Sequence, residues 1–275
     1  MKCQWEPLQK CMPMGLRKEL ELTDRDKLQE IRLRSGAPVE WVSHDGFWYS
    51  STKVREDDLR YLINAASRYS PWTAETMAKG YLTIEGGHRI GFCGRGICHN
   101  REITGIRDVD SACIRVARDI QGIAQPYAEE EGSVLIIGAP GWGKTTMLRD
   151  LCRSASDQYT VVVIDEREEL FPRGFQRGNR MDVLSLCPKG EGVEMALRTM
   201  CPDIIAVDEI TAAQDSEVLL HAANCGISLY ATAHAVSVGD LFHRKVYRNL
   251  IDNGVFSKVI CLTKSRKAVL ERMKL

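Results

Sequence analysis

The chain carries no net charge: its 37 lysines and arginines are matched by 37 aspartates and glutamates. Without a cationic excess there is no chain-wide electrostatic footprint for gripping long nucleic acid, which disfavours helicase- and recombinase-type readings. No apolar stretch approaches the roughly 20 residues needed to span a bilayer. The opening residues, Met1-Lys2-Cys3-Gln4-Trp5-Glu6-Pro7, have no apolar core of the signal-peptide kind. The expectation is a soluble, intracellular protein without direct membrane insertion. Ten cysteines are present, yet none forms a Cys-x-x-Cys pair. Cys93, Cys98 and His99 lack the second pair that a zinc site requires. Several thiols sit in apolar runs, where cysteine acts as a small hydrophobe and is expected to stay reduced. No internal repeat or low-complexity tract is visible, and 275 residues leave room for two domains.

What is present is more specific. The apolar run Val134-Leu135-Ile136-Ile137 leads into Gly138-Ala139-Pro140-Gly141-Trp142-Gly143-Lys144-Thr145-Thr146. A strand that enters a glycine loop and then a helix suits a triphosphate. The glycines let successive N–H groups turn toward phosphate oxygens, Lys144 adds a point charge, and Thr145 offers a hydroxyl to Mg²⁺. The helix start adds its positive dipole end. Trp142 occupies a position the motif leaves free, and its bulk is expected to point away from the phosphates. The chain is expected to bind ATP or GTP.

From residue 133 onward, strand and helix alternate as in a parallel α/β sheet. Thr146 to Ala155 carry a helical apolar stripe, and Val161 to Ile164 read as a buried strand ending in Asp165-Glu166-Arg167. A loop spans Phe171 to Asn179. A helix over Gly192 to Met200 precedes the strand Asp203 to Val207, which ends in Asp208-Glu209. Ala212 to Asn224 form another helix, and Ile227 to Ala231 a strand ending in Thr232-Ala233-His234. Val255 to Met273 read as a closing pair of strands. The N-terminal part reads as a smaller α+β domain, 1–120. Its strands fall near Leu28–Arg34, Val39–Val42 and Phe47–Tyr49, after a turn at His44-Asp45-Gly46. A helix follows over Arg55–Tyr69, then a hairpin about Gly86-Gly87. Residues 121–132 are expected as a linker, and 133–275 as the nucleotide-binding domain.

Three strands thus deliver polar residues to the edge where the glycine loop emerges, and open α/β sheets bind ligands outside that edge. Asp208 is placed to hold Mg²⁺, and Glu209 to act as general base or water-positioning residue for attack on the γ-phosphate. Asp165 and Glu166 end the neighbouring strand and join the catalytic candidates, either one fitting the pattern. His234 is a candidate γ-phosphate sensor. Arg173, Arg177 and Arg180 fit a solvated loop or a contact with a neighbouring subunit.

The order of glycine loop, Asp165-Glu166, Asp208-Glu209 and Thr232-x-His234 resembles the type II/IV secretion-system ATPases. These RecA-like motors have a Walker A loop, an acidic box, a Walker B motif and a histidine box. The segments Glu30 to Pro38, Gly86 to Gly91, Asp182 to Leu184 and Cys187 to Ile210 look closer still to the stage III sporulation protein AA branch. The resemblance implies a RecA-like P-loop core behind an α+β domain, with Mg²⁺ as cofactor and ATP as substrate. It implies a hexameric ring and, as partners, membrane proteins of a channel complex joining mother cell and forespore. The place it implies is cytoplasmic, peripheral at the membrane on the mother-cell side. Arginines of the N-terminal module would reach the γ-phosphate; Arg89, Arg95 and Arg115 match such positions loosely, with Arg115 preferred. Secretion motors carry Gly before the Walker B glutamate, whereas Asp208 stands there in this chain. The leading expectation is a secretion-type ATP hydrolase. The alternatives are a nucleic-acid-dependent motor on the same core and a nucleotide-binding scaffold with little turnover.

Overall fold

The computed structural model describes residues 3–43, 45–67, 80–99, 102–128, 131–265 and 267–273. Two compact units result, Met1–Asp119 with Pro172–Phe175, and Ile120–Phe171 with Gln176–Leu275. The turn residue His44 and the expected helix end at Arg68 and Tyr69 lie outside the described residues.

The first unit is an antiparallel sheet packed against helices. Helices α1 (Trp5–Cys11), α2 (Met14–Leu22) and α3 (Glu56–Ser67) accompany strands β1 (Leu28–Arg34), β2 (Pro38–Ser43), β3 (Gly46–Lys53), β4 (Tyr81–Thr83), β5 (Arg89–His99) and β6 (Glu102–Arg115). Their spatial order is β3-β2-β1-β6-β5-β4. One face buries Ile31, Leu33, Trp41, Ile90 and Ile114 against Leu8, Leu16, Leu20, Leu59 and Leu62 of the helices. Two features differ from the sequence expectation. The segment before residue 28 forms two helices, stopped between them by the extended Met12 and Pro13. The hairpin also runs to His99, and its return strand occupies the whole of Glu102–Arg115.

The second unit is an open α/β sheet. Its strands are β7 (Val134–Ile137), β8 (Val161–Asp165), β9 (Met181–Ser185), β10 (Ile204–Glu209), β11 (Ser228–Ala233), β12 (Lys258–Leu262) and β13 (Ala268–Arg272). The order β13-β12-β7-β11-β10-β8-β9 is parallel except for the antiparallel edge strand β13. β7 is buried along its full length, as its unbroken apolar run requires of a strand covered on both faces. The covering helices are α4 (Lys144–Ala155), α5 (Lys189–Thr199), α6 (Ala213–Asn224), α7 (Val238–His243) and α8 (Lys245–Asp252). β7 continues through α4 to β8, yet its sheet neighbours are β11 and β12. A strand whose neighbours both come from later in the chain leaves a crevice at its carboxyl end, where ligands of such sheets bind.

The segment expected as a linker is part of this second unit. It carries a 3-10 turn at Gln125–Tyr127. The buried Asp150 of α4 accepts hydrogen bonds from the amides of Gly122 (3.1 Å) and Ala124 (2.8 Å), which fixes the segment. Among the described residues, no helix is long and apolar enough to cross a membrane.

Candidate functional site

The carboxyl end of β7 opens directly into the glycine loop. Gly141 (φ 78°) and Gly143 (φ 97°) hold the left-handed backbone that residues with a Cβ rarely adopt, and Gly143 forms the N-cap of α4. Lys144 is the first residue of α4 and is buried. Its ammonium donates to Gly138 O (2.9 Å) and Ala139 O (3.3 Å), both within the loop. Its third contact is His234 Nδ1 at 2.9 Å. Desolvation lowers the Lys144 ammonium below its ordinary value, against the opposing pull of Glu209 and Asp208. Thr145 and Thr146 follow in the first turn of α4 and are half-buried.

An ammonium can only donate, so Nδ1 of His234 accepts and the ring proton sits on Nε2. From there it meets Glu209 Oε1 at 2.9 Å. Lys144, His234 and Glu209 therefore form one continuous polar chain from glycine loop to β10. The His234 amide donates to the hydroxyl of the buried Tyr247, tying the histidine to α8. Beside Glu209, Asp208 accepts from the Thr232 hydroxyl at 3.4 Å. Desolvation, then the charges of Glu169, Asp165 and Glu209, push the Asp208 carboxyl up to about 6, with Lys189 opposing.

Asp165 and Glu166 are adjacent in sequence but occupy different surroundings. Asp165 is fully buried, and its carboxylate accepts from the amides of Glu169 (2.9 Å), Leu170 (3.0 Å) and Phe171 (2.8 Å). Those bonds shape the turn that leaves β8. Glu166 is half-exposed and pairs with Lys189 at 3.0 Å. Lys189 also reaches Asp215 at 3.5 Å, whose carboxylate accepts from the Thr211 and Ala212 amides at the start of α6. Glu166, Arg167, Lys189, Asp208 and Glu209 line one small polar cleft. Sequence reasoning assigned no role to Lys189, whose only local signal was a lone cation after Pro188 at a helix start.

The remaining candidates are arginines on other elements. Arg115 is exposed on β6 of the first unit, paired in register with Arg89, whose guanidinium sits 3.7 Å from the centroid of the Tyr81 ring. Arg95 lies 3.9 Å from Asp108 on the same ribbon. Arg180 is tied to Gln158 O and the Thr160 hydroxyl, while Arg173 and Arg177 are exposed. All ten thiols are free. Among the described residues no group of three or more His, Cys, Asp or Glu side chains is arranged to hold a metal ion by itself.

Comparison with known proteins follows the same outline. The family described as "Sporulation stage III, protein AA" matches residues 3–270. Stage III sporulation protein AA of Bacillus subtilis is 37% identical over 257 residues, covering 87% of this chain and 84% of that protein. Among solved structures, the pilus retraction motor PilT with bound ADP superposes with a TM-score of 0.66 at 15% identity, over 93% of this chain and 80% of that one. The Legionella pneumophila ATPase DotB gives 0.59 at 19% identity, over 95% and 80%. Likeness at that level of identity shows the fold: a RecA-like sheet of the secretion-ATPase kind, together with a separate antiparallel sheet.

Proposed function

The chain belongs to the sporulation stage III, protein AA family, and we propose that it is a Mg²⁺-dependent ATP hydrolase working as an oligomeric motor. The observation that carries this reading is the polar chain Lys144–His234–Glu209, which spans from a glycine loop to the strand end that also presents Asp208. The loop amides and the start of α4 cradle the β- and γ-phosphates. Lys144, whose ammonium lies within the loop beside Gly138 O and Ala139 O, turns its donors to those oxygens. Glu209 accepts a proton from the attacking water, and the Nε2–H of His234 holds the Glu209 carboxylate in orientation.

Mg²⁺ fits the donors present. The Asp208 carboxyl, raised by desolvation first and then by the charges of Glu169, Asp165 and Glu209, gains an opposite charge when a cation stands beside it. Mg²⁺ characteristically takes one or two protein oxygens and completes its shell with phosphate and water. Thr145 and Asp208 would hold it, and when bound it offsets charge on the phosphate oxygens. Asp165 is a positioning residue in this scheme, since its carboxylate is committed to three amides. Glu166 and Lys189 form an ion pair beside the carboxylates.

By analogy with its relatives, the chain would assemble as a ring, with Arg115 or another arginine of the first unit reaching a neighbour's nucleotide. Its work would be to energise a channel complex between mother cell and forespore, through membrane-embedded partners. The test is Glu209→Gln. Phosphate release should fall by roughly 10²–10⁴ while binding of Mg-ATP persists. An unchanged rate would remove Glu209, and with it this mechanism.

A further inference from the structure

β11 leaves the sheet one residue before the histidine. Ala233, its last residue, is in register with Ile137, which directly precedes the glycine loop. The next amide, that of His234, lies beyond the strand. A main-chain N–H in such a place needs an acceptor from another part of the chain. It donates to the hydroxyl of Tyr247 at 3.2 Å, a residue 13 positions later on α8.

Tyr247 is itself firmly placed. It is buried, and desolvation pushes its phenol up, with the bond from the His234 amide opposing. The hydroxyl therefore keeps its proton and serves the amide as a neutral acceptor. Leu250 and Ile251 of the same helix are buried in the core of the second unit. Val246 O accepts from the hydroxyl of the buried Ser216, which ties α8 to α6. Between histidine and tyrosine, Asp240 accepts from the Val236 amide at 3.2 Å and pairs with Arg244 at 3.2 Å. The chain thus returns from β11 to α8 through a braced turn.

Three contacts hold His234: Lys144 at Nδ1 (2.9 Å), Glu209 at Nε2 (2.9 Å) and Tyr247 at the main chain (3.2 Å). They are not equivalent. In the proposed reaction Lys144 turns its donors to phosphate oxygens, so Nδ1 loses that partner. Tyr247 stands on a helix that takes no part in the phosphate cradle, so its bond persists. We infer that Tyr247 is a positioning residue: its hydroxyl holds the main chain of His234, so that Nε2–H stays on Glu209 after the ammonium has moved to the phosphates. The inference rests on the hydrolase reading above and adds a residue to it. Tyr247 acts through His234 and Glu209 and touches no reacting atom. Its effect is on geometry, and a misplacement of about 1 Å at a reacting centre can cost about 10² in rate.

Phosphate release from Mg-ATP by the full chain, Tyr247→Phe, His234→Ala and the double variant tests it. Tyr247→Phe keeps the buried ring and removes the acceptor. Its kcat should fall by about 10- to 100-fold with KM within about threefold. In the His234→Ala background the same substitution should change kcat by less than about twofold, because nothing is left to position. A merely structural tyrosine would lower kcat equally in both backgrounds. Hydrogen exchange at the His234 amide, followed by NMR, gives a second readout. Exchange should be slow in the native chain, stay slow with Mg-ADP, and quicken by about tenfold or more in Tyr247→Phe. The native measurement with and without Mg-ADP decides the matter if the variant does not fold. An unchanged kcat in Tyr247→Phe, an equal fall in both backgrounds, or protection lost on adding Mg-ADP would overturn the inference and leave the hydrolase reading standing. A native chain that releases no phosphate would overturn both.

Discussion

Asp208 makes the site a source of instability in the absence of ligand. Its carboxyl rises from 3.8 to about 6, by desolvation first and then by the carboxylates of Glu169, Asp165 and Glu209. The folded chain thus holds this proton more tightly than the unfolded chain does. The associated stability is fully present below the unfolded value and is lost as pH rises from about 4 to about 6. Carrying the carboxyl from 3.8 to about 6, at about 1.4 kcal/mol per pH unit, amounts to roughly 3 kcal/mol. Asp208→Asn removes the ionisation but keeps an acceptor oxygen for the Thr232 hydroxyl. The variant should match the native chain near about pH 4 and exceed it by up to about 3 kcal/mol above about pH 6.5. Urea denaturation of both proteins across that range, without Mg²⁺ or nucleotide, measures the difference. Parallel stability profiles, or a variant less stable at neutral pH, would refute the reasoning. Addition of Mg²⁺ and ADP should then stabilise the native chain far more than the variant, since a cation beside Asp208 favours its ionised form.

Two further substitutions separate scaffold from chemistry around the same strand ends. Asp165→Asn exchanges a carboxylate serving three amides for a side chain with one acceptor oxygen and two added donors. It should cost about 2–4 kcal/mol in denaturant unfolding, and an unchanged stability would show that the turn after β8 does not depend on that cradle. Lys189→Ala removes the cation shared by Glu166 and Asp215. It should lower kcat for phosphate release with KM within a few-fold, and Lys189→Arg should restore most of the loss. A change confined to KM would show that this shared cation does not bear on the chemical step.

The parallel half of the fold was legible because its apolar runs are unbroken and each ends in a polar residue. Val134–Ile137, Val161–Ile164 and Ile204–Val207 cannot be half-exposed strands, and their tips carry the loop, Asp165 and Asp208-Glu209. What local pattern could not reveal is which partners those tip residues choose. Asp165 and Glu166 look interchangeable in the sequence, yet one faces inward to backbone amides and the other outward to Lys189. Asp165 is the last residue of β8 and Glu166 the first of the turn beyond it, and only tertiary context fixes the partners each meets. Helices α1 and α2 were missed because they are short and interrupted at Pro13, so their stability comes from packing on the sheet rather than propensity. The stretch at 121–128 looked like a linker for a related reason. Its order comes from Asp150, a residue more than twenty positions later.

The placing of β7 between β11 and β12 has a consequence for synthesis. As the polypeptide leaves the ribosome, the strand bearing the glycine loop emerges early, while both of its sheet neighbours are still untranslated. Val134–Ile137 must stay unpaired through the making of α4, β8 and β10, an interval in which an apolar strand with open edges is prone to stick to others like it. Such late-closing topology favours slow folding. Growing chains halted before β11 should accordingly be the form that needs a chaperone's shelter.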